Sequence, residues 1–175
     1  GNLERNYKKD DLNWRNRATV RYGINSQEGQ KLRKTEDELR LNSSFGYRKD
    51  SVSNWFYSAK FNFNTQFTNG YKYPDTDSPI SKFMAPGYLF LGIGTEYSDP
   101  VEDLKVYISP VTQKSTFVLD QRLANEGMFG VTGAVRDTLG NIVEKGENVR
   151  TEFGFLVTSD FSKEVFENVE LDNQL

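Results

Sequence analysis

Leu12-Asn13-Trp14-Arg15-Asn16-Arg17-Ala18-Thr19-Val20-Arg21-Tyr22-Gly23-Ile24 is the stretch that decides the fold. Leu12, Trp14, Ala18, Val20, Tyr22 and Ile24 share one parity, and Asn13, Arg15, Arg17, Thr19 and Arg21 share the other; only Asn16 breaks the pattern. Successive side chains on a strand point to opposite faces. A period of two over this length therefore means a strand with one apolar and one strongly polar face.

The pattern recurs downstream. Leu39, Leu41, Phe45 and Tyr47 alternate with Glu38, Arg40, Asn42, Ser44 and Arg48. After the turn Lys49-Asp50-Ser51, Trp55, Tyr57, Ala59, Phe61, Phe63 and Phe67 alternate with Ser58, Lys60, Asn62, Asn64 and Gln66, which reads as a hairpin. Pro86-Gly87 opens a strand with Leu89, Leu91, Ile93 and Tyr97 on one face and Gly92, Gly94 and Glu96 on the other. Glycines there point to crowding or bending. Leu104, Val106 and Ile108 alternate with Lys105, Tyr107 and Ser109; Pro110 stops that ladder, and residues 116–119 resume it. A strand over 150–161 carries Phe153, Phe155, Val157 and Phe161 on one face, and a last half-strand covers 165–171.

The connections alternate in length. Turns near Lys49 and Ser98 are short, whereas 25–36, 69–85 and 120–149 are long. The last of these holds a helical turn over 121–126 and a small hairpin closed by Leu139-Gly140-Asn141. Such asymmetry is expected of a meander whose two ends face different compartments. Several alternating runs reach ten residues, beyond the usual 5–6 of soluble strands and near the 9–11 of a transmembrane strand. Trp14, Tyr22, Tyr47, Trp55 and Tyr97 lie near strand ends, as in an interfacial girdle. The expected fold is all-β, an antiparallel up-and-down meander forming a segment of an outer-membrane β-barrel. A soluble barrel or sandwich shares the alternation. The chain reads as a single barrel domain over 1–175, incomplete at both ends, because seven or eight strands only just reach the minimum for closure.

Composition narrows function. The chain has 175 residues, with 22 basic and 25 acidic ones and a net charge of -3, which offers no basic face for nucleic acid. Aromatics at 14% oppose disorder. There is no cysteine and no histidine, so thiolate metal sites and a Ser-His-Asp site within the chain are excluded. No apolar run approaches the roughly 20 residues of a membrane-spanning helix. No catalytic, cofactor or metal residue is assigned and no cofactor is expected. The chain reads as a non-enzyme. Asp75, Asp77 and Ser78 could hold calcium, but a solvated turn is the default, since the glycine and distal Glu of an EF-hand loop are missing. The run Glu36, Asp37 and Glu38 beside Lys31, Arg33 and Lys34 could contact lipopolysaccharide or divalent cations, but a solvated loop of mixed charge is the default.

Several segments carry a family resemblance. They are Trp55-Phe56-Tyr57-Ser58-Ala59, Phe63-Asn64-Thr65-Gln66-Phe67 and Gly70-Tyr71-Lys72-Tyr73-Pro74; then Ile80-Ser81-Lys82-Phe83-Met84-Ala85-Pro86-Gly87-Tyr88-Leu89 and Ser109-Pro110-Val111-Thr112-Gln113-Lys114; and Asp120-Gln121, Gly127-Met128-Phe129-Gly130-Val131 and Arg150-Thr151-Glu152. Together they resemble an uncharacterised, domain-of-unknown-function family of outer-membrane barrel proteins in Bacteroides-type Gram-negative bacteria. The resemblance spans roughly residues 12–172. It implies a place and a fold, a longer parent with more strands at both ends, and no activity. The insert 134–148 is longer than in similar proteins.

On this reading Arg15, Arg17, Arg21, Glu38, Arg40, Lys60, Glu96, Lys105, Arg150 and Glu152 face a lumen, either as a plug of ion pairs or as a selectivity lining. Both signs in similar number favour the plug. The expected function is a structural or weakly pore-forming outer-membrane barrel. The alternative is a soluble periplasmic barrel with an apolar ligand inside. Membrane lipid or lipopolysaccharide are the expected partners, nucleic acid is not, and a fragment with open edges is expected to self-associate edge to edge.

Overall fold

The computed structural model describes residues 1–50, 52–166 and 169–174, with side chains as far as Phe161. The chain forms β1 (Asn2–Lys9), β2 (Leu12–Asn25), β3 (Arg33–Arg48), β4 (Trp55–Thr65), β5 (Gly87–Asp99) and β6 (Leu104–Phe117). After α1 (Gln121–Asn125), a 3-10 turn (Met128–Gly130) and a small hairpin of β7 (Val135–Arg136) and β8 (Ile142–Glu144), it returns as β9 (Val149–Phe166) and β10 (Val169–Gln174). One antiparallel sheet holds eight strands in the order β1-β2-β3-β4-β5-β6-β9-β10. It is an up-and-down meander that is not closed, since β1 and β10 are its two edges.

The register joins the apolar parities into one continuous surface. Ala18 pairs with Leu41, Leu41 with Phe63, Phe63 with Leu89; one level away Ser43, Phe61, Leu91 and Gln113 align. Among the described residues nothing covers the large side chains of this face. Val20, Phe61 and Leu91 are 41%, 36% and 37% exposed, and large exposed hydrophobics occupy the same parity on β2, β3, β4, β5, β6 and β9. Soluble monomers rarely expose contiguous apolar patches beyond a few hundred Å². Asn16, the break in the opening pattern, sits on this face yet is satisfied there. Trp14 Nε1 donates to Ser43 Oγ at 2.8 Å, Ser43 Oγ to Asn16 Oδ1 at 2.7 Å, and Asn16 Nδ2 to the Arg5 carbonyl at 3.3 Å. At the end with the short turns, Tyr47 stacks on Tyr57 at 6.5 Å and Trp55 tilts against Tyr97 at 5.1 Å, forming an aromatic belt.

Several expectations need correction. β1 was not anticipated. Pro110 does not stop the ladder: β6 runs through it, because register shifts between Ile93 and Thr95 and between Ser109 and Thr112 form bulges where no proline N–H is needed. Ser109 Oγ fixes the kink by donating to the carbonyls of Ile93 (2.8 Å) or Val111 (2.9 Å). The first long connection is shorter than 25–36, since Arg33 already begins β3. The half-strand over 165–171 is divided between β9 and β10; residues 167–168 within it lie outside the described residues.

The buried hydrophobic cluster lies in the loops, at the end opposite the short turns. Ala85, Val118, Leu123, Ala124 and Val131 pack together with Met128 and Phe129 against them. Burying a leucine such as Leu123 contributes about 1.5–3 kcal/mol. This cluster clamps the 66–86 and 118–148 connections into one cap. Asp120 starts α1 by accepting from the Leu123 N–H at 3.0 Å. The left-handed Gly127 (φ +67°) follows the helix. Within the insert, Asp137 Oδ1 accepts from the amides of Leu139 (3.0 Å) and Asn141 (2.8 Å), so the hairpin anticipated at Leu139-Gly140-Asn141 is present.

Candidate functional site

The polar parity carries most of the buried strand residues of the sheet. Six of its described strand residues, Thr19, Ser58, Gly92, Tyr107, Ser109 and Thr112, are buried, against Thr65, Gly87 and Ser115 on the apolar parity, where the large side chains stay exposed. All ten sequence-predicted residues stand on this polar parity, and the register brings most of them together.

Arg17 Nε lies 2.8 Å from Glu4 Oε1, a partner supplied by β1. Glu38 receives Arg40 through Oε1 and Arg21 at 4.0 Å through Oε2. Lys60 Nζ is 3.9 Å from Glu96 Oε2 and 4.0 Å from the centroid of the Tyr107 ring. Arg150 pairs with Glu152 at 2.7 Å and donates to the Gly130 carbonyl at 3.1 Å, tying the wall to the cap. Arg15 and Lys105 make no ion pair among the described residues, although both line a cleft with Glu96. Exposed pairs of this kind are worth about 0–1 kcal/mol each, so they organise charge more than they hold the fold.

The middle of the face is built from small residues that let long ones lie flat. A Cβ on Gly92 would meet Tyr107 Oη at 3.0 Å and the Phe90 ring at 3.2 Å. Tyr107 thus folds across Gly92 with Lys60 over its ring, and its buried hydroxyl has no hydrogen-bond partner among the described residues. This shelf lies between two clefts. Toward the turns is one of about 150 Å³ with Asn13, Arg15, Ser44, Ser58, Glu96 and Lys105. Toward the cap is one of about 590 Å³ with Arg40, Asn42, Asn62, Asn64, Tyr88, Phe90, Lys114 and Glu152.

The cap is held by charged anchors. Lys82 Nζ meets Asp120 Oδ2 at 2.6 Å, and Arg122 donates to the Pro79 carbonyl and to Glu126 Oε1 at 3.3 Å. The Lys82 hydrogen bond is the main reason the Asp120 carboxyl titrates below its ordinary range; partial burial opposes this, and the Leu123 amide and the charges of Lys82 and Arg122 reinforce it. Asp37 is not part of a solvated acidic loop. Its side chain is 3% exposed and accepts from Phe67 N, Thr68 N and Lys34 Nζ, each at 2.8 Å, pinning the start of the 66–86 connection to β3. The Asp75 carboxylate accepts from Asp77 N at 2.9 Å in a turn. Among the described residues no cluster of three or more metal-ligating side chains occurs, and no helix is long and apolar enough to cross a membrane.

Sequence reasoning passed over Asn42, Asn62, Asn64, Tyr88, Phe90 and Lys114 as site residues, although their shared parity with Arg40 was the available signal. It also missed Glu4, whose strand carries no alternation.

A family model described as a protein of unknown function (DUF3078) matches residues 1–71, which is β1 through β4 and the start of the next connection. No curated protein matches the chain, and no solved structure does.

Proposed function

We propose that the chain is part of an outer-membrane β-barrel of a Gram-negative bacterium, structural or weakly pore-forming, with its polar face as a lumen wall. The observation that carries the reading is the segregation of the two faces: large apolar side chains are exposed along one face of the sheet, while arginines, lysines and carboxylates meet in ion pairs on the other. Bilayer hydrocarbon is the solvent such an outer surface requires, and a barrel satisfies its backbone polar groups by strand pairing. Three further features support it: strands of 11–18 residues between the two narrow edges, an aromatic belt at the short-turn end, and every long connection at the opposite end. The Bacteroides-type resemblance of the sequence points to the same membrane. Mixed charges across the lumen act as a partial plug, and the capped loop end faces outward, where lipopolysaccharide is the expected neighbour.

The test is electrophoretic. The protein, expressed with its native flanking sequence and extracted from membranes in mild detergent, is run boiled and unboiled. Faster migration of the unboiled sample is expected of a stable barrel. Recovery in the soluble fraction with no shift would overturn the reading.

A further inference from the structure

The larger cleft has a chemistry that the ion pairs around it do not explain. Two neighbouring levels of the sheet supply its floor. Asn42, Asn62, Phe90 and Lys114 align on one, and Arg40, Asn64, Tyr88 and Thr116 on the next. The charges at its edges are engaged: Arg40 with Glu38, Glu152 with Arg150. The carboxamides of Asn42, Asn62 and Asn64 and the Tyr88 hydroxyl make no hydrogen bond to any described residue. Each carboxamide offers both donors and an acceptor, and Tyr88 adds a group that does either. Beside them, Phe90 and Tyr88 line the cleft with aromatic rings. The volume of about 590 Å³ lies within the range of small-molecule sites.

From this we infer that the cleft is a saccharide site. A sugar presents hydroxyls that both donate and accept, and a C–H face that packs on an aromatic ring. Neighbouring amides and rings match that combination. A lipid chain would leave the three carboxamides unpaired, which is costly. A phosphate would find, among the described residues of the cleft, only Lys114 without an ion pair. The site sits between the Tyr107 shelf and the loop cap, so a saccharide entering from the capped end would stop at the shelf. The cleft belongs to the chain's own geometry. Its saccharide binding therefore stands or falls separately from the membrane reading.

The experiment is saturation-transfer NMR on the detergent-extracted protein with four probes together: maltohexaose, cellohexaose, chitohexaose and hexagalacturonate. Transfer to at least one is expected. Asn62→Ala and Asn64→Ala should each weaken that probe about three- to tenfold, the loss of one net hydrogen bond. Asn13→Ala, in the smaller cleft, should leave it unchanged. Circular dichroism checks that each variant keeps its sheet. No transfer to any of the four, or equal transfer in the folded Asn62→Ala and Asn64→Ala proteins, would overturn the assignment. Preferential transfer to hexagalacturonate would place its carboxylate on Lys114.

Discussion

Asp120 offers the sharpest test of how the loop cap is held. It does two jobs with one carboxylate: Oδ1 caps α1 at the Leu123 amide, and Oδ2 pairs with Lys82 across the two long connections. Removing an N-cap costs about 0.5–2 kcal/mol, and a partly exposed pair about 0.2–1 kcal/mol. Asp120→Ala should therefore lower the free energy of cap opening by about 1–2 kcal/mol, or roughly tenfold in the exchange rates of the Leu123 and Ala124 amides. Asp120→Asn separates the jobs. Asparagine caps as well as aspartate does, so only the pair is lost and the change should stay near twofold. The pH dependence gives the sign. The Asp120 carboxyl is held below its ordinary value of 3.8, so its contribution is complete above that value and disappears as pH falls through the lower folded-state value. Cap protection in the wild type should then weaken below about pH 4, and Asp120→Asn should lose that component. Amide exchange by NMR or mass spectrometry, from pH 2.5 to 6 and corrected for intrinsic rates, measures it. If Asp120→Ala exchanges at the wild-type rate, or Asp120→Asn keeps the full acid dependence, the assignment of cap stability to this residue is wrong.

Gly94 and Phe61 test the sheet. A Cβ on Gly94 would sit 2.7 Å from Ser109 Cα and closer still to the Ile108 carbonyl, both backbone that cannot step aside, whereas one on Gly46 meets nothing nearer than 3.8 Å. Gly94→Val should cost about 1–3 kcal/mol and lower the temperature of the electrophoretic shift, while Gly46→Ala should leave it nearly unchanged; equal behaviour would refute the bulge account. Phe61→Arg puts a charge at mid-strand on the apolar face. In lipid vesicles it should cost about 2–4 kcal/mol by denaturant unfolding, and a change under 0.5 kcal/mol would mean that this face does not meet hydrocarbon.

Much of the sheet is legible in residue order because the side-chain period of a strand is a local property. Leu12 to Ile24 needs no neighbour to declare its two faces, and the same holds for 55–67 and 150–161. The parity of all ten charged candidates followed from that alone; the helical turn after Asp120 and the hairpin at Gly140 came from local signals of another kind, a short run of helix formers and a turn glycine. Local pattern failed where pairing makes the strand. β1 has Arg5 and Lys9 on the same parity as Leu3 and Tyr7, and only its register against β2 identifies it. Charges of this kind are tolerated on an edge. Pro110 looked like a stop because the sequence shows the missing N–H but not the bulge that makes it harmless. Asp37 looked solvated because its partners, Phe67 and Thr68, are about thirty residues away.

Alternation by itself determined that this chain has one apolar and one polar face per strand, but it is symmetric under bending and cannot say which face is enclosed. Tertiary structure decided where the polar side packs closely, since the register stacks Gly92 and Gly94 where Tyr107 and the β6 backbone need room, while large apolar side chains stay exposed on the other side.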